Sequence, residues 1–339
     1  MGSTAGQLGA LRQFLDRKIM TRNRSVAASF LSLSAAAVLV LVGTGGAAAA
    51  PAASDDKSTP AVFSAKVDST GAADYWTADR MRAALPGDLL ADKSLERGNR
   101  SSTVAAEKAK ATKVKGTAGK PTIAQPASGM DHIGKVFFTL DGADYVCSGN
   151  AVESKNRSTV ATAGHCLFGG AELPTRFIFV PGYNNGESPY GAWTGDSYYL
   201  PAGWKESGNM AFDTGFAVVK PLDGAPLLAD AVNESGVEFN APRGLTYQAF
   251  GYPADRPFDG GSLKSCTGTA TNDTNNAQFE TQGIPCDMTG GSSGGPWFNT
   301  ATGLQNSINS YGYNPHPVMY GPYWGSEIEA AYDEAETAR

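Results

Sequence analysis

Beyond residue 121, apolar residues fall in short runs broken by Gly, Pro, Asn, Asp and Ser, the pattern of β-strands joined by turns. Ten stretches qualify: Val136–Leu140, Tyr145–Val152, Thr159–Ala163, Arg176–Val180, Phe212–Lys220, Thr246–Gly251, Cys266–Thr271, Gln278–Thr281, Gly295–Asn299 and Leu304–Ser310. No long 3.6-residue pattern appears until the end. There, Ser326-Glu327-Ile328-Glu329 reads as a capping box that opens a C-terminal helix over AAYDEAETA. Many strands and one final helix predict an all-β architecture of barrels or a sandwich. No internal repeat is evident.

The first 120 residues follow other patterns. Arg22-Asn23-Arg24 precedes an apolar run from Val26 to Val42, which is followed by Gly and Ala up to Ala48-Ala49-Ala50. A basic start, a short apolar run and an A-x-A end predict a secretory signal peptide over residues 1–50, with Met20 as a possible true start. The competing reading is a membrane anchor, but the run is short for a span and holds Ser29, Ser32 and Ser34. Residues 51–120 carry twelve Lys/Arg and nine Asp/Glu, with Phe63, Tyr75 and Trp76 as their aromatics. Such a composition buries little apolar surface, so this stretch reads as a pro-segment or a disordered region. Residues 121–339 are then the folded domain, long enough for a core of its own.

Composition narrows the function. Glycine is frequent, at 41 residues, and charge is low, at 18%. That favours a turn-rich β protein over a helical bundle. Residues 121–339 hold ten Lys/Arg against 23 Asp/Glu. An acidic domain argues against nucleic-acid partners and against stable membrane association after signal removal. The four cysteines, Cys147, Cys166, Cys266 and Cys286, allow three connectivities. Export favours disulfides, and spacings of 19 and 20 residues suit two local bridges. A four-cysteine zinc site is the alternative, and no C-x-x-C pair supports it.

The candidate chemistry lies in three places. His165 follows a predicted strand in VATAGHC, where a bridge at Cys166 would clamp the turn that orients a general base. Ser293 is central in Gly291-Ser292-Ser293-Gly294-Gly295-Pro296. Glycines around a nucleophile permit a tight turn and close substrate approach, and the N–H groups of Gly291 and Ser293 are the natural pair for an oxyanion. Asp213, in NMAFDTGFAVV, is the first candidate for the carboxylate that orients the histidine, and Asp196, in TGDSYYL, is the second.

TAGHC, an aspartate before an apolar strand, and G-x-S-G-G-P, in that order, resemble the trypsin/chymotrypsin-like serine proteases. GKVFF, CSGNAV, TAGHC and GGSSGGPW more narrowly resemble the secreted bacterial branch that includes glutamyl endopeptidases. The resemblance spans roughly residues 130–325. It implies two antiparallel six-stranded β-barrels with the active site between them. It also implies His165 as base, Asp213 as orienting acid, Ser293 as nucleophile, Gly291 as the other oxyanion donor, and Cys147–Cys166 as the bridge beside the histidine. The pocket wall is resembled by Ser310-Tyr311-Gly312. Glutamyl-specific members carry a histidine just before that wall, where this chain has Asn309. Asp287 lies where trypsin-like members carry the pocket base, with a structural role as the alternative. Ser292 replaces the aspartate that pairs with the new N-terminus in the animal digestive enzymes.

These observations predict an exported, monomeric serine endopeptidase acting on proteins or peptides. No metal or organic cofactor is required; structural calcium stays open, since the loops are rich in Asp and Asn without an EF-hand pattern. Two other readings remain: a catalytically inactive secreted binding homologue, and a serine esterase or lipase, whose G-x-S-x-G elbow needs a helix after the serine.

Overall fold

Alternation of side chains along Ile133–Leu140 organises the first half of the fold. All eight residues of this strand are buried, because both faces are covered. Val136, Phe138 and Leu140 pack with Phe177, Phe179, Trp193 and Tyr198. Ile133 and Phe137 pack into a second cluster with Trp76, Met81, Phe250 and Tyr252. In the computed structural model, which describes residues 59–91, 122–170, 172–313 and 316–339, six antiparallel strands close a barrel around the first cluster. Ile133–Leu140 pairs with Ala143–Val152 on one side and Thr175–Pro181 on the other. Thr159–Thr162 then joins Ala143–Val152 to Gly215–Pro221, and Trp193–Pro201 completes the ring back to Thr175–Pro181.

Part of the expected pro-segment or disordered region is folded onto this barrel. Val62–Lys66 is a strand antiparallel to Trp193–Pro201, and Leu85–Pro86 pairs in parallel with Tyr145–Val146. Between them, Trp76 is buried and its Nε1 donates to the Arg176 carbonyl at 2.7 Å. Tyr75 donates to Asp144 at 2.9 Å, and Arg80 pairs with the same carboxylate at 3.3 Å. The few aromatics of this stretch are enough because they land on the barrel's outer face; each large side chain buried there contributes about 2–3 kcal/mol. The expected signal peptide and residues 92–121 lie outside the described residues.

The second half differs from the expected closed six-stranded barrel. Among the described residues it is built of two antiparallel sheets, one of five strands and one of four. The first runs Gln305–Ile308, Pro296–Asn299, Thr246–Gly251, Lys264–Thr269, Gln125–Pro126. The second runs Thr271–Asn272, Gln282–Pro285, His316–Gly321, Tyr311–Tyr313. Tyr247, Ile284, Trp297 and Met319 form the core of this half, and the Cys266–Cys286 disulfide crosses from one sheet to the strand end of the other. Gln278–Thr281 is not a strand: a single 3-10 turn, Ala277–Phe279, buries Phe279, and pairing begins at Gln282.

The C-terminal helix spans Ser326–Thr337, with Ile328, Ala331 and Ala335 buried against the barrel cluster. Its N-cap is Gly325 and carries no side-chain cap, so the expected capping box does not form. Glu329 instead accepts from Asn240 Nδ2 at 2.7 Å. At the other end, Asn156 Nδ2 donates to the Ala335 carbonyl at 2.7 Å, closing one of the helix's terminal acceptors.

Lys135 ties the two halves together. It is 3% exposed on Ile133–Leu140, and its Nζ donates to the Gly260 carbonyl at 3.0 Å while lying 4.5 Å above the Tyr183 ring. Burial pulls the ammonium down to about 7, against the opposing charge of Asp259. Between about pH 7 and about pH 10 the unfolded chain therefore holds a proton that the folded chain has released, so folding stability rises with pH in that window. Lys135→Met is expected to flatten that rise. Urea midpoints of the two proteins at both ends of the window check it; equal slopes would refute the assignment.

Candidate active site

The strand Thr159–Thr162 ends in a one-turn helix, Gly164–Leu167, which carries His165. The Cys147–Cys166 disulfide fastens that turn to the neighbouring strand. Asp213 follows the 3-10 turn Met210–Phe212 and precedes the strand Gly215–Pro221. One carboxylate holds the histidine twice: His165 N donates to Oδ1 at 2.8 Å, and Nδ1 lies 2.9 Å from Oδ2. Ser310 Oγ also donates to Oδ2, at 2.5 Å. Asp213 and His165 are both 0% exposed, and three donors offset the cost of burying the carboxylate. A carboxylate only accepts, so Nδ1 carries the proton and Nε2 is the basic nitrogen. Nε2 has no hydrogen-bond partner among the described residues.

Asp196 is engaged elsewhere. It pairs with Lys66 at 2.5 Å and with Lys220. Burial alone would raise its carboxyl, but hydrogen bonds from Lys220 and Lys66 hold it below the ordinary value.

Ser293 sits on a turn whose backbone needs glycine. Gly291 has φ 90° and Gly294 has φ 83°. A Cβ on Gly294 would stand 2.1 Å from Thr162 Oγ1 and 2.8 Å from Ala163 N, so this turn lies against the segment that leads into His165. Ser148 N donates to the Ser293 carbonyl at 2.7 Å, and Ser148 Oγ donates to the Gly291 carbonyl at 3.0 Å while accepting from Tyr252 N at 2.9 Å. The hydroxyl was not legible as functional, although it stands beside Cys147 in CSGNAV. Ser148→Ala leaves a buried carbonyl and a buried N–H unpaired, at a cost of about 1–3 kcal/mol. Denaturant unfolding should show that loss, and Ser148→Thr should restore part of it; an unchanged midpoint in Ser148→Ala would contradict this account.

A cavity of about 610 Å³ opens beside Ser293. Asp287, Ser310 and Gly312 are among the residues that line it. Asp287 Oδ1 also accepts the N–H of Ala124 at 2.7 Å. Asn309 does not line the cavity; it is 0% exposed and structural. Its Nδ2 donates to the carbonyls of Phe250 at 2.7 Å and Ser292 at 3.1 Å, and its Oδ1 accepts from Trp297 at 2.7 Å. Tyr311 and Tyr313 form part of the wall and both donate to the buried Asp273, at 2.7 and 2.8 Å. Burial, aided by Asp273, pushes the Tyr313 phenol up to about 12.

The cysteines are paired 147–166 and 266–286, which overturns the zinc alternative: their sulfurs are bonded to each other and offer no thiolates. After Ser293 the chain forms the strand Pro296–Asn299, whereas the lipase elbow requires a helix there.

No protein-family model matches the chain. Among solved structures, the protease Anisep from Arthrobacter nicotinovorans is 58% identical, with a TM-score of 0.61, over 63% of this chain and 100% of that one. The thermostable serine protease AL20, from an extremophilic microorganism, is 49% identical, with a TM-score of 0.59, over 62% of this chain and 99% of that one. Among curated proteins, the glutamyl endopeptidase of Bacillus licheniformis is 29% identical over 185 residues, which are 53% of each chain. A Bacillus subtilis protein named extracellular metalloprotease is 35% identical over 121 residues, 34% of this chain. The chain spans 35% and 53% of the lengths of these two curated relatives. No described helix is long and apolar enough to cross a membrane.

Proposed function

The chain belongs to the chymotrypsin-fold serine proteases, related to a bacterial glutamyl endopeptidase and to the proteases Anisep and AL20, and from that membership we propose that it is an extracellular serine endopeptidase working through an acyl-enzyme. The observation that carries this is the double grip of Asp213 on His165, 2.8 Å to the backbone N–H and 2.9 Å to Nδ1. That grip holds the ring in the tautomer and orientation a general base needs.

In the first step Ser293 Oγ attacks the peptide carbonyl carbon while His165 Nε2 takes the hydroxyl proton. The N–H groups of Gly291 and Ser293 bind the oxygen that becomes negative. The tetrahedral intermediate collapses, His165 gives its proton to the leaving amine, and the acyl group remains as an ester on Ser293. Water then attacks that ester with His165 again as base, releasing the acid and restoring the serine. Asp213 stabilises the imidazolium in both halves and keeps its own charge.

The same reading assigns residues 1–50 to an export signal and makes the chain a precursor, with a monomeric enzyme acting on proteins or peptides. The specificity pocket is the cavity bounded by Asp287, Ser310 and Gly312. The test is digestion of a mixed peptide library by the secreted, processed protein. Cuts that share a residue before the scissile bond support the reading. Arg or Lys there makes Asp287 the pocket base, and Glu revives glutamyl preference without a histidine at position 309. An absence of cuts from protein that is shown to be folded and processed would refute it.

A further inference from the structure

Residues 85–91 pass beside the disulfide that follows His165 and reach the cavity beside Ser293. Gly87 N donates to the Val146 carbonyl at 2.8 Å, extending the parallel pairing of Leu85–Pro86 with Tyr145–Val146. The backbone is pressed so close there that a Cβ on Gly87 would stand 2.4 Å from Cys147 Sγ. That sulfur is bonded to Cys166, the residue after His165. The chain then makes a helical turn from Asp88 to Ala91. Leu90 and Ala91 are each 1% exposed and belong to the cluster that holds Cys147, Cys166 and Leu167.

The other rim is touched by the same segment. Asp88 lines the cavity with Gly290, Ser292 and Ser293. Its Oδ1 stands 2.2 Å from where a Cβ of Gly290 would be, against the backbone just before the oxyanion turn. A carboxylate there and the developing oxyanion of a substrate repel each other. His165 is 0% exposed and Ser293 4%, whereas hydrolysis needs a peptide and then water beside both. The rest of the folded N-terminal segment supplies the fastening: the strand Val62–Lys66, buried Trp76 and the Tyr75–Asp144 bond.

We propose that residues 85–91 are an in-chain inhibitor, a strap whose Leu90 anchors beside the His165 disulfide and whose Asp88 occupies the oxyanion side of the cleft. The proposal rests on the reading of Ser293 and His165 as nucleophile and base, and it makes loss of the segment the activating event. The strap binds its own protein at the effective concentration of a tethered ligand, so weakening it opens the cleft in proportion to the affinity lost.

The test is the rate at which a fluorophosphonate labels Ser293 in the intact-length chain. Wild type is compared with Leu90→Asp, which removes the apolar anchor, and with Asp88→Ala, which removes only the carboxylate. Both variants are expected to label about tenfold faster or more. A synthetic peptide of residues 83–91 added to Leu90→Asp should slow its labelling again. Fast labelling of intact wild type, equal to that of both variants, would overturn the strap while leaving the protease reading in place. If Leu90→Asp unfolds, Asp88→Ala decides, and the same peptide added to Asp88→Ala should slow its labelling again. Folded chains that never label, in any form, would overturn the protease reading and the strap with it.

Discussion

Ser293→Ala is expected to abolish peptide hydrolysis and fluorophosphonate labelling together. The reason is chemical: alanine has no oxygen to attack the carbonyl or to carry the acyl group, so the two-step path is closed. In enzymes with this arrangement, loss of the serine lowers kcat by roughly 10⁵–10⁶-fold, and the residual rate comes from substrate binding and the oxyanion donors. Folding should persist. The side chain is 4% exposed, but the hydrogen bonds of this turn run through its carbonyl to Ser148 N and through Asn309, and alanine keeps them. The measurement is kcat on a cleaved library peptide, with the far-ultraviolet spectrum and thermal midpoint as controls. A folded variant with near-normal turnover would remove Ser293 from the mechanism. A wild type that binds peptides and never cuts them would place the protein among inactive relatives that keep the scaffold.

Asp213→Asn should cost about 10⁴-fold in kcat near neutral pH, because an amide facing Nδ1 favours the wrong tautomer of the imidazole. KM should move far less, since Asp213 touches no substrate. Asp196→Asn tests the other aspartate. Its carboxylate bonds Lys66 and Lys220, with those lysines 65% and 63% exposed, so its loss should leave kcat unchanged within about a factor of two and lower stability by no more than about 1 kcal/mol. The reverse order of effects would make Asp196 the orienting acid. One further consequence separates the two roles. If Asp213 sustains the imidazolium, the loss in Asp213→Asn should shrink at high pH, where hydroxide replaces the missing base; a merely structural defect would persist across the pH range.

The strands that sequence pattern located best are those whose apolar residues are continuous or alternate cleanly. Thr246–Gly251 appears in the structure with the same ends, and Ala143–Val152 begins two residues before the expected Tyr145. Trp193–Pro201 escaped because Thr194, Gly195, Asp196 and Ser197 break its apolar pattern. The barrel tolerates them because Lys66 and Lys220 neutralise the buried Asp196 from neighbouring strands. Residues 62–86 escaped for a different reason. Averaged over a long polar stretch, Phe63, Tyr75 and Trp76 look too few to hold structure, yet each docks on an existing hydrophobic face and needs no core of its own.

Chemistry that depends on neighbours in the chain was therefore determined by the sequence itself. His165 beside a bridged cysteine, and a serine among glycines that tolerate φ near 90°, are local arrangements with local physical reasons. Everything that depends on residues far apart was decided by tertiary structure. The placement of Asp213, and not Asp196, against His165 required the fold to bring that carboxylate to Nδ1 across 48 positions. The removal of Asn309 from the pocket to a buried hub, the second use of Ser148 as a clamp on Gly291, and the seating of Asp88 against Gly290 are of the same kind. A hydrogen bond is set by distance and angle, and a one-dimensional pattern holds neither until the strands have paired.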